Sequence, residues 1–340
     1  MADSFLRLPR NDRAELLTGL STRLGKAPIV LEKDVWVCWI LAELFAMPSA
    51  LPMAFKGGTS LSKVYDAIHR FSEDIDITLS YRALDPSADP FAPKLSRSKL
   101  HRISDELRHR VAEHLRQAVV PHLQTALPSA CAEPGAAVEL LADNETVRVV
   151  YPSAMSEGAS GYIPDSIKIE FGGRNSTEPR EQSPVVPYLA PELPELAFPR
   201  ATPFVLSPQR TFWEKATLIH GECGRAAAQP TIERKSRHWY DLAMLADGTI
   251  GQKALGDRTL LADVVKHKKA FFNNATANYD ACTRGALCLI PEGQLLDVLR
   301  RDYSAMIEAG MFYKAPPSFK EILERLKRLQ ASINGQPIAA

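Results

Sequence analysis

Asp74 and Asp76 lie two residues apart in "SEDIDITLSY", where polar residues alternate with Ile75, Ile77 and Leu79. Side chains alternate across a strand, so both carboxylates share one face and the isoleucines the other. Phosphoryl and nucleotidyl transfer can use such a pair. Charge on the transferring phosphate is neutralised by two metal ions held roughly 3.5 to 4 Å apart by shared carboxylates. A third carboxylate on the polar face of a neighbouring strand would complete the set, and Glu170 of "IKIEF" has that position. Asp74, Asp76 and Glu170 are therefore the candidate metal ligands, with Mg²⁺ favoured by the all-oxygen donor set. Alone, an Asp-x-Asp on an edge strand is more often a solvated pair.

The balance shifts because Gly57-Gly58-Thr59-Ser60 lies just upstream. Glycines let backbone N–H groups and small hydroxyls approach a triphosphate closely. The turn is not a Walker A loop, since Lys56 precedes the glycines and no Gly-Lys-Ser follows. Ser60 reads equally as a helix N-cap. Arg70 and Ser72 are placed either to contact a phosphate or to end the helix before the aspartates. The second glycine pair, in "FGGR" at 171–174, reads as a turn leaving a strand.

The elements that must position these residues follow from periodicity. Residues 11–25 and "IVLEKDVWVCWILAELFAM" are predicted helices, the second apolar almost all round and so destined for a core. Met53 to Phe55 is predicted to enter the glycine turn as a strand. Thr59 or Ser60 then caps a helix carrying Leu61, Val64, Tyr65 and Ile68 on one face. A proline-bearing loop spans Leu84 to Pro93, and a helical pattern runs from Lys94 to about Thr125. "ETVRVVYP" and "DSIKIEFGG" are later strands. Seven prolines between Gln182 and Pro208 predict an irregular surface crossing that separates two domains, and five helical patterns follow it. The expected fold is α+β: a sheet flanked by helices over 1–205, then a helical domain over 206–335 that completes the cleft.

Forty-one Lys and Arg against 40 Asp and Glu leave no global field to mark a nucleic-acid or membrane binder. Basic residues cluster instead. Seven Lys or Arg face three acids between Lys94 and Arg116, and "KHKK" spans 266–269. Such runs are usually solvated faces, but an RNA substrate would need them. The five cysteines are scattered without ligand spacing and read as free thiols of a reducing compartment. The N-terminus has no apolar core of the signal-peptide kind, so a cytoplasmic protein without membrane contact is expected.

"FKGGTSLSKVYDAIHRFSEDIDITL", "SIKIEF", "TFWEKATLIHGE" and "RHWYDLAML", in that order, resemble the nucleotidyl transferase AbiEii toxin family of the polymerase-β-like superfamily. The resemblance implies a minimal nucleotidyltransferase sheet flanked by helices, followed by a helical C-terminal portion. It places the turn motif on Gly57 to Ser60, metal carboxylates on Asp74 and Asp76, a motif lysine on Lys215 and a late aspartate on Asp241. Glu170 matches through the superfamily's third carboxylate. By residue type alone, Lys215 is a solvated helix residue and Asp241 a helix salt bridge or cap. The resemblance instead gives Lys215 a phosphate-facing role and has Asp241 orient Lys215 or Arg237. Sixteen residues separate Gly57 from Asp74, a longer spacing than most of the superfamily uses.

The resemblance further implies a toxin of a toxin–antitoxin or phage-defence module, with a cognate antitoxin as partner. It implies an NTP as substrate, Mg²⁺ as cofactor and an RNA acceptor such as a tRNA 3′ end. A kinase transferring the γ-phosphate from the same pocket and a non-catalytic nucleotide-binding module are the alternative readings.

Overall fold

The computed structural model describes residues 3–72, 74–131, 133–155, 166–225, 235–272 and 276–335. Glu73 and Asp165, at the starts of two predicted strands, lie outside them. The chain is α+β and divides into two compact units. The first comprises Met1–Val64, Phe71–Ala88 and Ile103–Val205; the second comprises Tyr65–Arg70, Asp89–Arg102 and Leu206–Ala340.

The first unit is built on a mixed seven-stranded sheet. Its strands are β1 (Met53–Lys56), β2 (Ile75–Leu79), β3 (Ala137–Leu140), β4 (Thr146–Val150), β5 (Ser166–Gly172), β6 (Arg180–Gln182) and β7 (Phe204–Leu206), in the spatial order β3-β4-β5-β2-β1-β7-β6. Strand β2 runs antiparallel to β1 and parallel to β5. One face carries Phe55, Ile75, Ile77, Ile167, Ile169 and Phe171, all buried, as the alternation predicts. Strand β7 lies inside the proline-rich stretch expected to be irregular. Val205 pairs in parallel with Phe55 at the edge of β1, a register that no local pattern announces.

Helices α1 (Arg10–Leu24) and α2 (Pro28–Ala46) pack on each other, and α2 also packs on β5. Pro28 opens α2 at a position where its missing N–H costs nothing. Trp36 stacks on Tyr151 at 5.0 Å between ring centroids. Helix α3 is shorter than its apolar spacing predicts: it spans Gly57–Lys63 and ends before Val64 and Ile68. Its N-cap is Lys56, so neither Thr59 nor Ser60 caps it, and both sit within the helix. A short α4 (Tyr81–Leu84) ends where the predicted loop begins, and α5 (Arg97–His114) continues through a π-helical turn into α6 (Val120–Ala130).

The second unit holds α7 (Pro208–Arg225), α8 (Ser236–Ala246), α9 (Thr249–Gly256), α10 (Arg258–Phe271), α11 (Gly293–Glu308) and α12 (Phe319–Asn334). Helix α8 packs on α7, α9, α11 and α12. Phe212, Trp213, Ala216 and Ile219 of α7 are fully buried, as are Trp239 and Leu242 of α8. The Trp239 indole donates to the Leu289 carbonyl at 3.0 Å, satisfying the polar atom of a buried ring. Ser318 and Glu321 form a capping box at the start of α12. No helix among the described residues is long and apolar enough to cross a membrane.

Candidate active site

Asp76 stands in register with Lys56 of β1 on one side and Glu170 of β5 on the other, and Thr146 of β4 lies opposite Glu170. Paired residues project to the same face, so Lys56, Asp76, Glu170 and Thr146 form one polar row across four strands. Neighbouring strands lie about 4.8 Å apart. Two carboxylates in adjacent places repel each other unless a cation lies between or beside them. Asp76 is half-buried and Glu170 exposed, so the row opens outward at Glu170.

The glycine turn leans directly on this row. Gly57 has φ +79°, a left-handed conformation that glycine adopts freely, and a Cβ added there would lie 2.7 Å from the Asp76 carboxyl carbon. Glycine is thus required at 57 for two reasons, and the second is the aspartate itself. Gly58 follows in the first turn of α3 and is buried. The Thr59 hydroxyl donates to the carbonyls of Ser72 at 3.2 Å and Asp74 at 2.5 Å, tying α3 to the segment that enters β2. The Ser60 hydroxyl is buried and donates to the Gly57 carbonyl at 2.9 Å.

Asp74 falls one residue before β2 begins, with its carbonyl held by Thr59. The structure brings Asp76 and Glu170 together. Among the described residues, no three His, Cys, Asp or Glu side chains are gathered into a set that could hold a metal ion, so the expected three-carboxylate cage is not preformed. The donors that do align are hard carboxylate oxygens, which suit Mg²⁺ rather than a soft metal.

In the second unit, Arg70, Lys215 and Asp241 form a buried ion cluster. Arg70 forks onto Asp241 with Nε–Oδ1 at 2.7 Å and Nη2–Oδ2 at 2.8 Å, and Lys215 Nζ reaches Oδ2 at 2.8 Å. All three are buried, Asp241 completely. Arg70 thus turns Nε and Nη2 to Asp241. Asp241 also touches Lys215, one of the two side chains it is expected to orient. Burial raises the Asp241 pKa, but Arg70 and Lys215 outweigh it and hold the carboxyl well below the usual range. Burial pushes the Lys215 ammonium down, opposed by Asp241 and assisted by Arg70.

Two features escaped the sequence reading. Glu32, Lys33 and Asp34 are all buried within α2. Glu32 accepts from Ser153 and the Ala154 N–H, Lys33 donates to the Ser166 carbonyl at 2.8 Å, and Asp34 pairs with Lys63 at 2.5 Å. Lys63 ends α3, so this pair anchors the helix of the glycine turn. The signal was three consecutive charges in a helix otherwise apolar all round. The second feature is His238, whose Nδ1 is buried without a hydrogen-bond partner. Burial, with Lys215 and Arg237 adding, holds its pKa well below the usual histidine value and keeps the ring neutral.

Residues 39–325 match the sequence model of the family described as nucleotidyl transferase AbiEii toxin, type IV TA system. No curated protein sequence matches the chain. Among solved structures, MenT4, a nucleotidyltransferase toxin from Mycobacterium tuberculosis, is similar at 16% identity over 97% of this chain and 90% of that one, with a TM-score of 0.48. By the family match, which spans most of its length, the chain belongs to the AbiEii nucleotidyltransferase toxins of type IV toxin–antitoxin systems.

Proposed function

We propose that this toxin transfers a nucleoside monophosphate from an NTP to the 3′ end of an RNA, a tRNA in particular, with a cognate antitoxin restraining it in the cell. The observation that carries the reading is the pairing of Asp76 with Glu170 on adjacent parallel strands, with the Gly57 backbone against the Asp76 carboxyl. Asp76 and Glu170, joined by Asp74, would hold Mg²⁺, which when bound neutralises charge on the transferring phosphate. The turn from Gly57 to Ser60 presents backbone close to these carboxylates and binds the triphosphate through it. Ser60 contributes by fixing the turn, since its hydroxyl is already bonded to Gly57. Ser72 acts in the same way, its carbonyl receiving Thr59.

Within the second unit, Lys215 supplies the cation for a phosphate, and Asp241 and Arg70 position it. The acceptor hydroxyl attacks the α-phosphorus, the bond from that phosphorus to the bridging oxygen breaks, and pyrophosphate leaves. The proton of the hydroxyl goes to solvent or to a carboxylate of the row.

Purified protein, Mg²⁺ and total RNA, incubated with each NTP labelled at the α or the γ position, test this directly. Label entering RNA from the α position alone, and lost in Asp76→Ala, is expected. Label entering protein from the γ position would make the protein a kinase and overturn the proposal. So would transfer that persists in a folded Asp76→Ala variant.

A further inference from the structure

The two basic runs of the sequence, 94–116 and 266–269, lie far apart along the chain, yet their ends line one cavity of the second unit. The cavity has a volume of about 730 Å³. Lys94 and Arg97 border it from the segment leading into α5, Lys266 and Lys269 from α10, and Arg284 from the turn after α10. All five are exposed. The single carboxylate of the lining, Asp280, is taken by Lys269 at 2.6 Å. Lys94, Arg97, Lys266 and Arg284 have no carboxylate partner among the described residues. The Lys266 ammonium rests on the Phe91 ring at 4.4 Å from its centroid, which fixes the charge at the cavity wall. The floor is apolar, with Leu95, Leu100, Ala262 and Val265.

A rim of uncompensated cations over an apolar floor is an uneconomical surface for a chain whose net charge is only +1. Like charges concentrated around a concavity repel unless an anion spans them, and low-dielectric walls focus their field. The volume is in the range of pockets that enclose a compact ligand. An acidic peptide would use the rim but gain little from the floor. A single-stranded RNA uses both, since its phosphates meet the cations while an unstacked base covers apolar surface. Duplex RNA would keep its bases stacked and leave the floor wet.

We infer that this cavity is a docking site for a single-stranded segment of the acceptor RNA, with Lys94, Arg97, Lys266 and Arg284 on the phosphates and the Leu100 and Val265 floor under a base. The inference rests on the reading that the acceptor is RNA, and it adds where the chain holds that acceptor.

The test is fluorescence anisotropy with a labelled single-stranded RNA 12-mer across a KCl series, all in the Asp76→Ala background so that binding is read without turnover. Lys266→Glu combined with Arg284→Glu is expected to weaken binding at least 10-fold. It should also reduce the slope of log Kd against log salt by about 1.4, since each single-strand phosphate contact contributes about 0.7. Ala262→Glu, which puts a carboxylate on the floor from a helical position, is expected to weaken binding several-fold. Circular dichroism melting confirms that each variant is folded. An unchanged Kd and slope in folded variants would overturn the inference, as would polyglutamate competing as well as unlabelled RNA of equal charge. Cavity-dependent binding by a protein that transfers no nucleotide would break the proposed function alone. Transfer to RNA with binding indifferent to these variants would break the inference alone.

Discussion

The carboxylates of the two units are held in opposite ways. Asp76 and Glu170 stand side by side on a sheet face that opens outward at Glu170, where strand register brings like charges together. Asp241 is completely buried, and two cations close on it. A carboxylate pair of the first kind lies where solvent reaches at least one member, Glu170. A carboxylate of the second kind is costly to disturb, because removing it leaves two buried charges without a partner. The same residue type is thus held in two environments, beside a second carboxylate on a sheet face and between two cations in a core.

Asp241→Ala tests the architectural half and should have the largest effect, a loss of about 3–5 kcal/mol read from urea unfolding of the second unit. If it unfolds like the wild type, the cluster is not structural and the contrast fails. Asp76→Ala should do the reverse. It is expected to lower nucleotidyl transfer by roughly 100-fold or more, the scale of losing one charge-stabilising group, while unfolding shifts by less than about 0.5 kcal/mol.

Gly57→Ala combines the two regimes, since the new Cβ strains a left-handed residue and meets Asp76, at a cost of about 1–3 kcal/mol. The double variant with Asp76→Ala should recover part of that cost, and a strictly additive cycle would show that the two residues do not touch in solution.

Acid sharpens the comparison further. The folded pKa of His238 is depressed, so below about pH 6.5 the unfolded chain binds a proton that the folded one refuses. Stability should be flat above that pH and decline as pH falls below it, and His238→Phe should lessen the slope in a series of thermal melts. Asp241, also depressed, keeps its contribution above about pH 3.8 and loses it as pH falls further. The smallest effect belongs to the exposed Arg148–Glu139 pair across β3 and β4, where Arg148→Ala should cost under about 1 kcal/mol.

Much of the site was legible before any fold was known. Period-two alternation put Asp76 on one face and Ile75 and Ile77 on the other, because a strand has only two faces. The alternation in "IKIEF" did the same for Glu170. The burial of Lys215 was not legible from residue type, which reads it as solvated. The length of α3 was not legible, because Val64 and Ile68 keep the helical period past the point where the backbone leaves the helix at Lys63. Nor was Arg70 as a partner of Asp241, since they lie 171 positions apart in the chain.

The sequence by itself determined which residues of β2 and β5 face the core and which face away from it, since these follow from local periodicity. Only the tertiary structure decided that Asp76 stands beside Glu170, that Gly57 touches Asp76, and that two distant basic runs share a cavity. Those pairings depend on strand register and helix packing, which are set by the burial of the whole apolar set rather than by any stretch of it.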